Sequence, residues 1–243
     1  MLISEIELAH LKDLKNKCEL WHKPQASHFF SEEEQAEIMK VYAPSSLIKY
    51  DGGYEGARKK KIIFLYDEDD EYTDVVCLEA KIDQRFRQIG HRDILGALMS
   101  LQIDGGSFGD FWVEDNHIYL YTSENMSSFL IDNLNKINQL TVSFEKTKER
   151  PIQVFKYKDL EMVVSSERLD AIVAAVTNLS RNKSKELIES GLVQINHIVV
   201  EEPENLCHNN NIISIRGYGR FIYAGVIKET KHARKLILLK QSI

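Results

Sequence analysis

The chain has 243 residues, 43% of them hydrophobic and 28% charged, with a net charge of −6. That is enough apolar material for two or three small domains and too much for a disordered segment. No apolar run reaches the length of a membrane span, the N-terminus does not read as a signal peptide, and Cys18, Cys77 and Cys207 lie far apart in no metal-ligand spacing. The expectation is a cytoplasmic protein with reduced thiols, no metal and no membrane contact. The charge is unevenly spread: residues 165–243 hold 11 Lys and Arg against 8 Asp and Glu, and the rest of the chain holds 20 against 29. A basic tail on an acidic body confines phosphate contact to one module and argues against a general polyanion binder.

In chain order, Leu11, Leu14, Cys18 and Trp21 recur at spacings of three, four and three, predicting a helix with one apolar face. Ser31 with Glu34 three residues on is a capping-box pattern that starts a second helix. Residues 45–50 and 61–66 read as strands around the turn Asp51-Gly52-Gly53-Tyr54-Glu55-Gly56, and the acidic run Asp67 to Glu71 reads as a boundary. The middle segment predicts a strand over 75–80, a helix over 91–101, a hairpin of 110–114 and 117–122 across Asp115-Asn116, a helix over 127–137 capped by Ser123, and a strand over 139–145. This βαββαβ order is the ferredoxin-like arrangement, shared by RNA-recognition domains and by many other proteins. Residues 146–158 form a polar but ordered connection.

The last third carries an ordered set of signals: Arg168-Leu169-Asp170, then Ser180-Arg181-Asn182-Lys183-Ser184-Lys185, then Gly191-Leu192-Val193-Gln194-Ile195-Asn196. Ser180 is a natural N-cap, Leu187 and Ile188 repeat at helical spacing, and Gly191 supplies a left-handed stop, giving two short helices that feed a strand. The order R-L-D, S-R, helix, Gly, V-x-I-N resembles the S4 RNA-binding domain over about 165–243. His197 stands where that family usually has Gly, and Asn210-Asn211 where it usually has Gly-Asp; both fall in turns.

A second resemblance lies in the body. The blocks 53–59 (Gly53-Tyr54-Glu55-Gly56-Ala57-Arg58-Lys59), 91–96 (His91-Arg92-Asp93-Ile94-Leu95-Gly96) and 109–111 (Gly109-Asp110-Phe111), followed by the tail, are similar to the bacterial YlmH family. The resemblance implies an α+β protein in three parts: a small N-terminal α/β domain over 1–74, a ferredoxin-like RNA-binding domain over 75–158 and the S4 domain over 165–243. It also implies a ribosome-associated quality-control factor without enzymatic activity or cofactor, one that engages large subunits holding peptidyl-tRNA. Its implied partners are large-subunit rRNA, peptidyl-tRNA and a protein factor that extends the nascent chain; the expected oligomeric state is monomeric.

Among individual residues, Arg168, Ser180, Arg181, Asn182, Lys183 and Lys185 are candidates for phosphate contact at the start of the second tail helix, with Arg181 foremost. Arg168 has two readings, outward to RNA or folded back onto a neighbouring carbonyl, because residues two apart on a helix do not face each other. Arg216 and Arg220 flank Gly217-Tyr218-Gly219, a turn that lets backbone approach either RNA or another strand, with Lys228, Lys231, Arg234 and Lys235 nearby. A second RNA contact could involve Arg58, Lys59 and Lys60, whose bland alternative is a solvated strand edge. It could also involve His91 and Arg92, where either Asp93 or His91 caps the helix, or Tyr119 and Tyr121, which would stack bases if their sheet face is open. His91-Arg92-Asp93 lacks the Asn that a kinase catalytic loop needs, no phosphate-binding glycine loop has the required spacing, and no triad or zinc set is legible. The rival classes are an RNA-modifying enzyme anchored by its S4 domain and a cell-division scaffold.

Overall fold

A computed structural model describes residues 3–85, 88–230 and 234–242, and the chain divides into two units, Met1–Gln153 and Val154–Ile243. In the first unit, Ser4 caps helix α1 (Glu5–Trp21) in a full capping box with Glu7. Leu11, Leu14 and Cys18 are buried, whereas Trp21, expected on the same face, is 54% exposed at the helix end, where His22 turns left-handed at φ 51°. Next comes a strand the periodicity does not announce, β1 (Gln25–Phe30), then α2 (Glu32–Ile38), which starts at the Ser31–Glu34 capping box as expected. Strands β2 (Ile48–Asp51) and β3 (Lys60–Phe64) complete an antiparallel sheet in the order β1-β3-β2. The basic run therefore leads into a central strand and not an exposed edge. Lys61 is 4% exposed and ion-paired to Asp74, because this central strand is covered on both faces from Lys61 to Phe64.

The middle of this unit contains β4 (Val75–Lys81), α3 (His91–Ser100), β5 (Phe108–Glu114), β6 (His117–Ser123), α4 (Glu124–Asn133), the small hairpin β7 (Lys136–Ile137) and β8 (Leu140–Thr141), and β9 (Glu145–Thr147). The sheet order β5-β6-β4-β9, antiparallel throughout, is that of the ferredoxin-like fold. Two boundaries differ from expectation. Ser123 itself takes the extended N-cap position, so α4 begins at Glu124 instead of Ser127. Asn138 adopts φ 55°, which folds Ile137 against Leu140 in a hairpin where a helix end and a longer strand were expected. The core joins Leu78, Ile94, Leu98, Leu120, Leu130 and Phe144 between sheet and helices.

The second unit begins with β10 (Tyr157–Val164), whose first two residues fall in the expected connection and whose remainder the sequence reading assigns to no element; it pairs along its whole length with the last strand. Then come α5 (Leu169–Thr177), α6 (Arg181–Glu189), β11 (Val193–Ile195), β12 (Ile198–Val199), β13 (Ile212–Ile215), β14 (Gly219–Glu229) and β15 (Lys235–Ser242). The six strands are ordered β10-β15-β14-β13-β11-β12 and share a core with the helices through Leu169, Ile172, Ile188, Val193, Phe221 and Ile237. Asn178 at φ 56° ends α5, and Gly191 at φ 69° follows α6 as the left-handed stop. Asn196 and His197, at φ 49° and 67°, make the two-residue turn between β11 and β12, so histidine occupies a left-handed position that glycine would fill at lower cost.

Candidate nucleic-acid interface

In the C-terminal unit the candidate arginines are organised by a carboxylate. Asp170 lies in the first turn of α5, a helix otherwise made of Leu, Ala, Ile, Val and Thr, and its side chain is fully buried. Arg168 donates from Nε and Nη2 to Asp170 at 3.2 and 3.0 Å, and Arg181 donates from Nε and Nη2 at 3.2 and 2.9 Å. Arg168 also reaches Glu204 at 2.8 Å, and Arg181 reaches Ser165 at 3.2 Å. Burial alone would raise the Asp170 carboxyl, but the hydrogen bonds and charges of Arg181 and Arg168 outweigh it and hold the pKa below the ordinary value. The expectation that Arg168 and Asp170 do not face each other fails because Arg168 is not helical. It is the extended N-cap, φ −70° and ψ 144°, and its side chain folds back over the first turn. The carbonyl contact expected for a folded-back Arg168 is thus a carboxylate contact.

Both arginines remain partly exposed, Arg181 more than Arg168, so each presents a face whose position is fixed from behind. Ser180 accepts from the Lys183 backbone N–H at 3.3 Å, which sets the start of α6. Ser184, buried on the inner face, donates to the backbone carbonyls of Asp170 and Arg181, both at 2.8 Å, and ties the two helices together. That leaves Asn182 and Lys183 exposed and Lys185 half-buried. Arg216 is exposed in the turn between β13 and β14, where Gly217 and Gly219 have φ 86° and 116°. The Arg216 N–H donates to the Leu192 carbonyl at 3.0 Å, joining this turn to the residue that follows Gly191. A cavity of about 450 Å³ opens there, lined by Gln194, Ser214, Arg216 and Arg220 among others, and Arg220 Nη2 lies 3.0 Å from His197 Nδ1. Lys228 and Arg234 are exposed, Lys235 is paired with Glu167 at 2.6 Å, and Lys231 lies outside the described residues.

In the N-terminal unit a second buried carboxylate, Asp110, organises the blocks at 53–59 and 109–111. Its Oδ2 accepts from the Tyr54 hydroxyl and the Arg58 N–H, both at 2.7 Å, and its Oδ1 accepts from the Lys59 N–H at 3.1 Å. Lys59 Nζ donates to the carbonyls of Gly105 and Phe108, and burial pushes its pKa down. Lys59 is thus an internal brace and not a solvated cation; Lys60 is half-buried at the start of β3. Gly53, at φ 93°, lies so close to the Tyr121 ring that a Cβ there would sit 2.4 Å from it. Tyr121 is 1% exposed, covered by Phe29, Tyr54 and Trp112, and its hydroxyl donates to the Pro151 carbonyl at 2.8 Å. The sheet face expected to be open is covered, and Tyr121 has no surface for base stacking. Tyr119, half-buried, packs against Trp112 at 5.4 Å. Asp93 caps α3 through the Gly90 N–H at 2.9 Å, Arg92 is exposed, and the exposed His91 ring stacks on Phe111 at 4.4 Å. Burial and the Arg58 charge lower the His91 pKa.

Sequence reasoning missed Asp110 and Asp170 as organising residues. The available signal was an acid embedded in an otherwise apolar element, Asp170 in α5 and Asp110 inside Phe108–Val113. Among the described residues no group of His, Cys, Asp and Glu could hold a metal, and no helix is long and apolar enough to cross a membrane.

Two segments of the chain match described domain families. Residues 68–151 match the family described as "Putative RNA-binding domain in YlmH", and residues 167–212 match the S4 domain. The chain is 28% identical over 218 residues to ribosome-associated protein quality control protein P2 of Bacillus subtilis (strain 168), an alignment covering 86% of this chain and 84% of that protein. A solved structure of cell division protein ylmH from Streptococcus pneumoniae is 18% identical, with a TM-score of 0.44, covering 60% of this chain and 93% of its own. The molecule is an RNA-binding α+β protein with an S4 domain in its C-terminal unit. It carries, in this order, the RNA-binding domain described for YlmH and an S4 domain, and over most of its length it is similar to the Bacillus ribosome-associated quality control protein.

Proposed function

We propose that this protein is a cytoplasmic, non-enzymatic factor that binds rRNA of the large ribosomal subunit when a stalled subunit retains peptidyl-tRNA. There, as a monomer, it assists a partner protein in extending the nascent chain. The observation that carries the reading is the cationic start of α6. Arg181 and Arg168 are fixed on Asp170 while Asn182 and Lys183 face solvent, a preorganised surface for phosphate oxygens. The similarity to the Bacillus ribosome-associated protein supports the choice of RNA. The turn holding Arg216 and Arg220 would supply further phosphate contacts, and several weak contacts made together give the needed affinity.

The test is sedimentation of the protein with cell extract through a sucrose gradient, comparing wild type with the Lys183→Glu/Lys185→Glu double variant. Wild type should travel with large subunits that retain tRNA, and the variant should shift to the top fractions. Phosphate contacts also require that binding weaken as salt rises, with a slope reduced by about two in the variant. Wild type remaining at the top even at low salt would overturn the reading.

A further inference from the structure

A cavity in the N-terminal unit is left unused by the reading above. It measures about 330 Å³, near the lower end of the ~300–1,000 Å³ range usual for ligand sites. Its wall is built by the three sequence blocks that the fold brings together: Arg58 from 53–59, His91 and Leu95 from 91–96, and Phe111 from 109–111, joined by Met99 and Gln153. Three of these residues form a stripe on α3. His91, Leu95 and Met99 stand at i, i+4 and i+8 and therefore share a face, while Ile94 and Leu98 turn to the core. Leu95 is 36% and Met99 44% exposed. A helix of this kind has spent its core-facing residues elsewhere and keeps a second apolar stripe facing the cavity.

The His91 ring lies nearly parallel to Phe111, 21° between planes, so one face is held while the residue keeps an exposed surface. A fixed ring with an accessible surface, apolar walls beside it and a polar amide at the rim suit a flat heterocycle with hydrogen-bonding edges. Charge selects among such ligands. Arg58 stands at the wall and α3 begins at His91, so the positive end of the helix lies beside it; the Asp110 carboxylate also lines the cavity, its oxygens engaged by the Tyr54 hydroxyl and the N–H groups of Arg58 and Lys59. The neighbouring cavity is lined by Glu7, Glu34 and Asp104 beside His28 and Lys59, a net acidic wall that disfavours a phosphate. We infer that the cavity between Arg58, His91, Met99 and Phe111 receives one unpaired nucleotide of RNA, with its base against His91 and Met99 and its phosphate toward Arg58. The inference rests on the RNA-binding reading and adds to it a second site, specific for unstacked bases.

The experiment is photo-crosslinking of the full-length protein to a short single-stranded oligonucleotide carrying 4-thiouridine, with the attached peptides mapped by mass spectrometry. Crosslinks at His91, Met99 or Phe111 are expected. Met99→Glu, an exposed position whose change leaves the core intact, should abolish them and lower affinity for the oligonucleotide about tenfold, the size of one lost base stack. Leu95→Glu should do the same by an independent route, and the Lys183→Glu/Lys185→Glu variant should keep the crosslinks. Crosslinks confined to residues 168–220 would overturn the cavity inference and leave the RNA-binding reading standing. A wild-type protein that neither binds nor crosslinks to RNA of any form would overturn both.

Discussion

The two units each bury one aspartate, and they use it in opposite ways. Asp110 is satisfied mostly by backbone, the N–H groups of Arg58 and Lys59, together with the Tyr54 hydroxyl. Asp170 is satisfied by two guanidinium groups. A carboxylate that collects backbone donors fixes the path of a loop and so shapes a cavity. One that collects arginines fixes side chains whose outer faces stay in water and so shapes a charged surface. The same residue type thus prepares a pocket in one unit and a phosphate-facing surface in the other.

The largest effect expected from breaking this contrast is at Arg181. Arg181→Glu removes half of Asp170's partners and places a second carboxylate beside a buried one, which should destabilise the C-terminal unit by about 3 kcal/mol. Lys183→Glu, two residues away and exposed, should change stability by no more than about 0.5 kcal/mol. Thermal unfolding followed by circular dichroism separates the two. Equal stability for both variants would mean that the arginines are not held by Asp170 in solution. It follows that loss of ribosome binding by Arg181→Glu alone is ambiguous, and the lysines are the cleaner probe.

How much of this was legible follows from the range of the interactions. α5, α6 and the Gly191 stop are set by local signals: Ser180, the Leu187-Ile188 pair and a glycine at φ 69°. The ferredoxin-like order is equally legible, because strand and helix periods alternate cleanly from Val75 to Leu120. What escaped was set by pairing distant in sequence. β1 has too weak an alternation to announce itself and is fixed by its register against β3. Tyr121 alternates like a surface tyrosine, but Phe29 and Tyr54, far back in the chain, cover it. Arg168 and Arg181 both read correctly as cations near a helix start, yet their meeting on one aspartate depends on the extended N-cap at Arg168.

A middle-sized effect should come from Asp110→Ala. It strands the N–H groups of Arg58 and Lys59 and should cost about 1–3 kcal/mol, since an unmet buried donor loses its full solvation. Gly53→Ala attacks the same loop from the other side, through its φ of 93° and the clash with Tyr121, and should cost a similar amount. Both tryptophans, Trp21 and Trp112, lie in Met1–Gln153, so their fluorescence reports on this unit. Wild-type midpoints for both variants would show that the loop is held by something other than Asp110.

The smallest effect is a difference in acid sensitivity, and its sign follows from which form each unit buries. Burial lowers the pKa of His28 and of His91 from the ordinary 6.5, so the unfolded chain binds these protons more tightly than the folded one. Stability from these two groups is present above pH 6.5 and is lost as pH falls from there through their folded values. In the C-terminal unit the lowered groups are carboxyls. Glu167 is held down by hydrogen bonds from Lys235 and Tyr223, and Asp170 by the two arginines against the cost of burial. Their contribution is intact above the ordinary values of 4.5 and 3.8 and is lost only as pH falls through the depressed ones. Between pH 7 and 5 the tryptophan-monitored midpoint should therefore fall while amide exchange in α5 and α6 stays protected. His28→Gln should flatten part of the fall by removing one of the two imidazoles. A tryptophan midpoint constant over that range would mean that neither imidazole is held neutral by the fold.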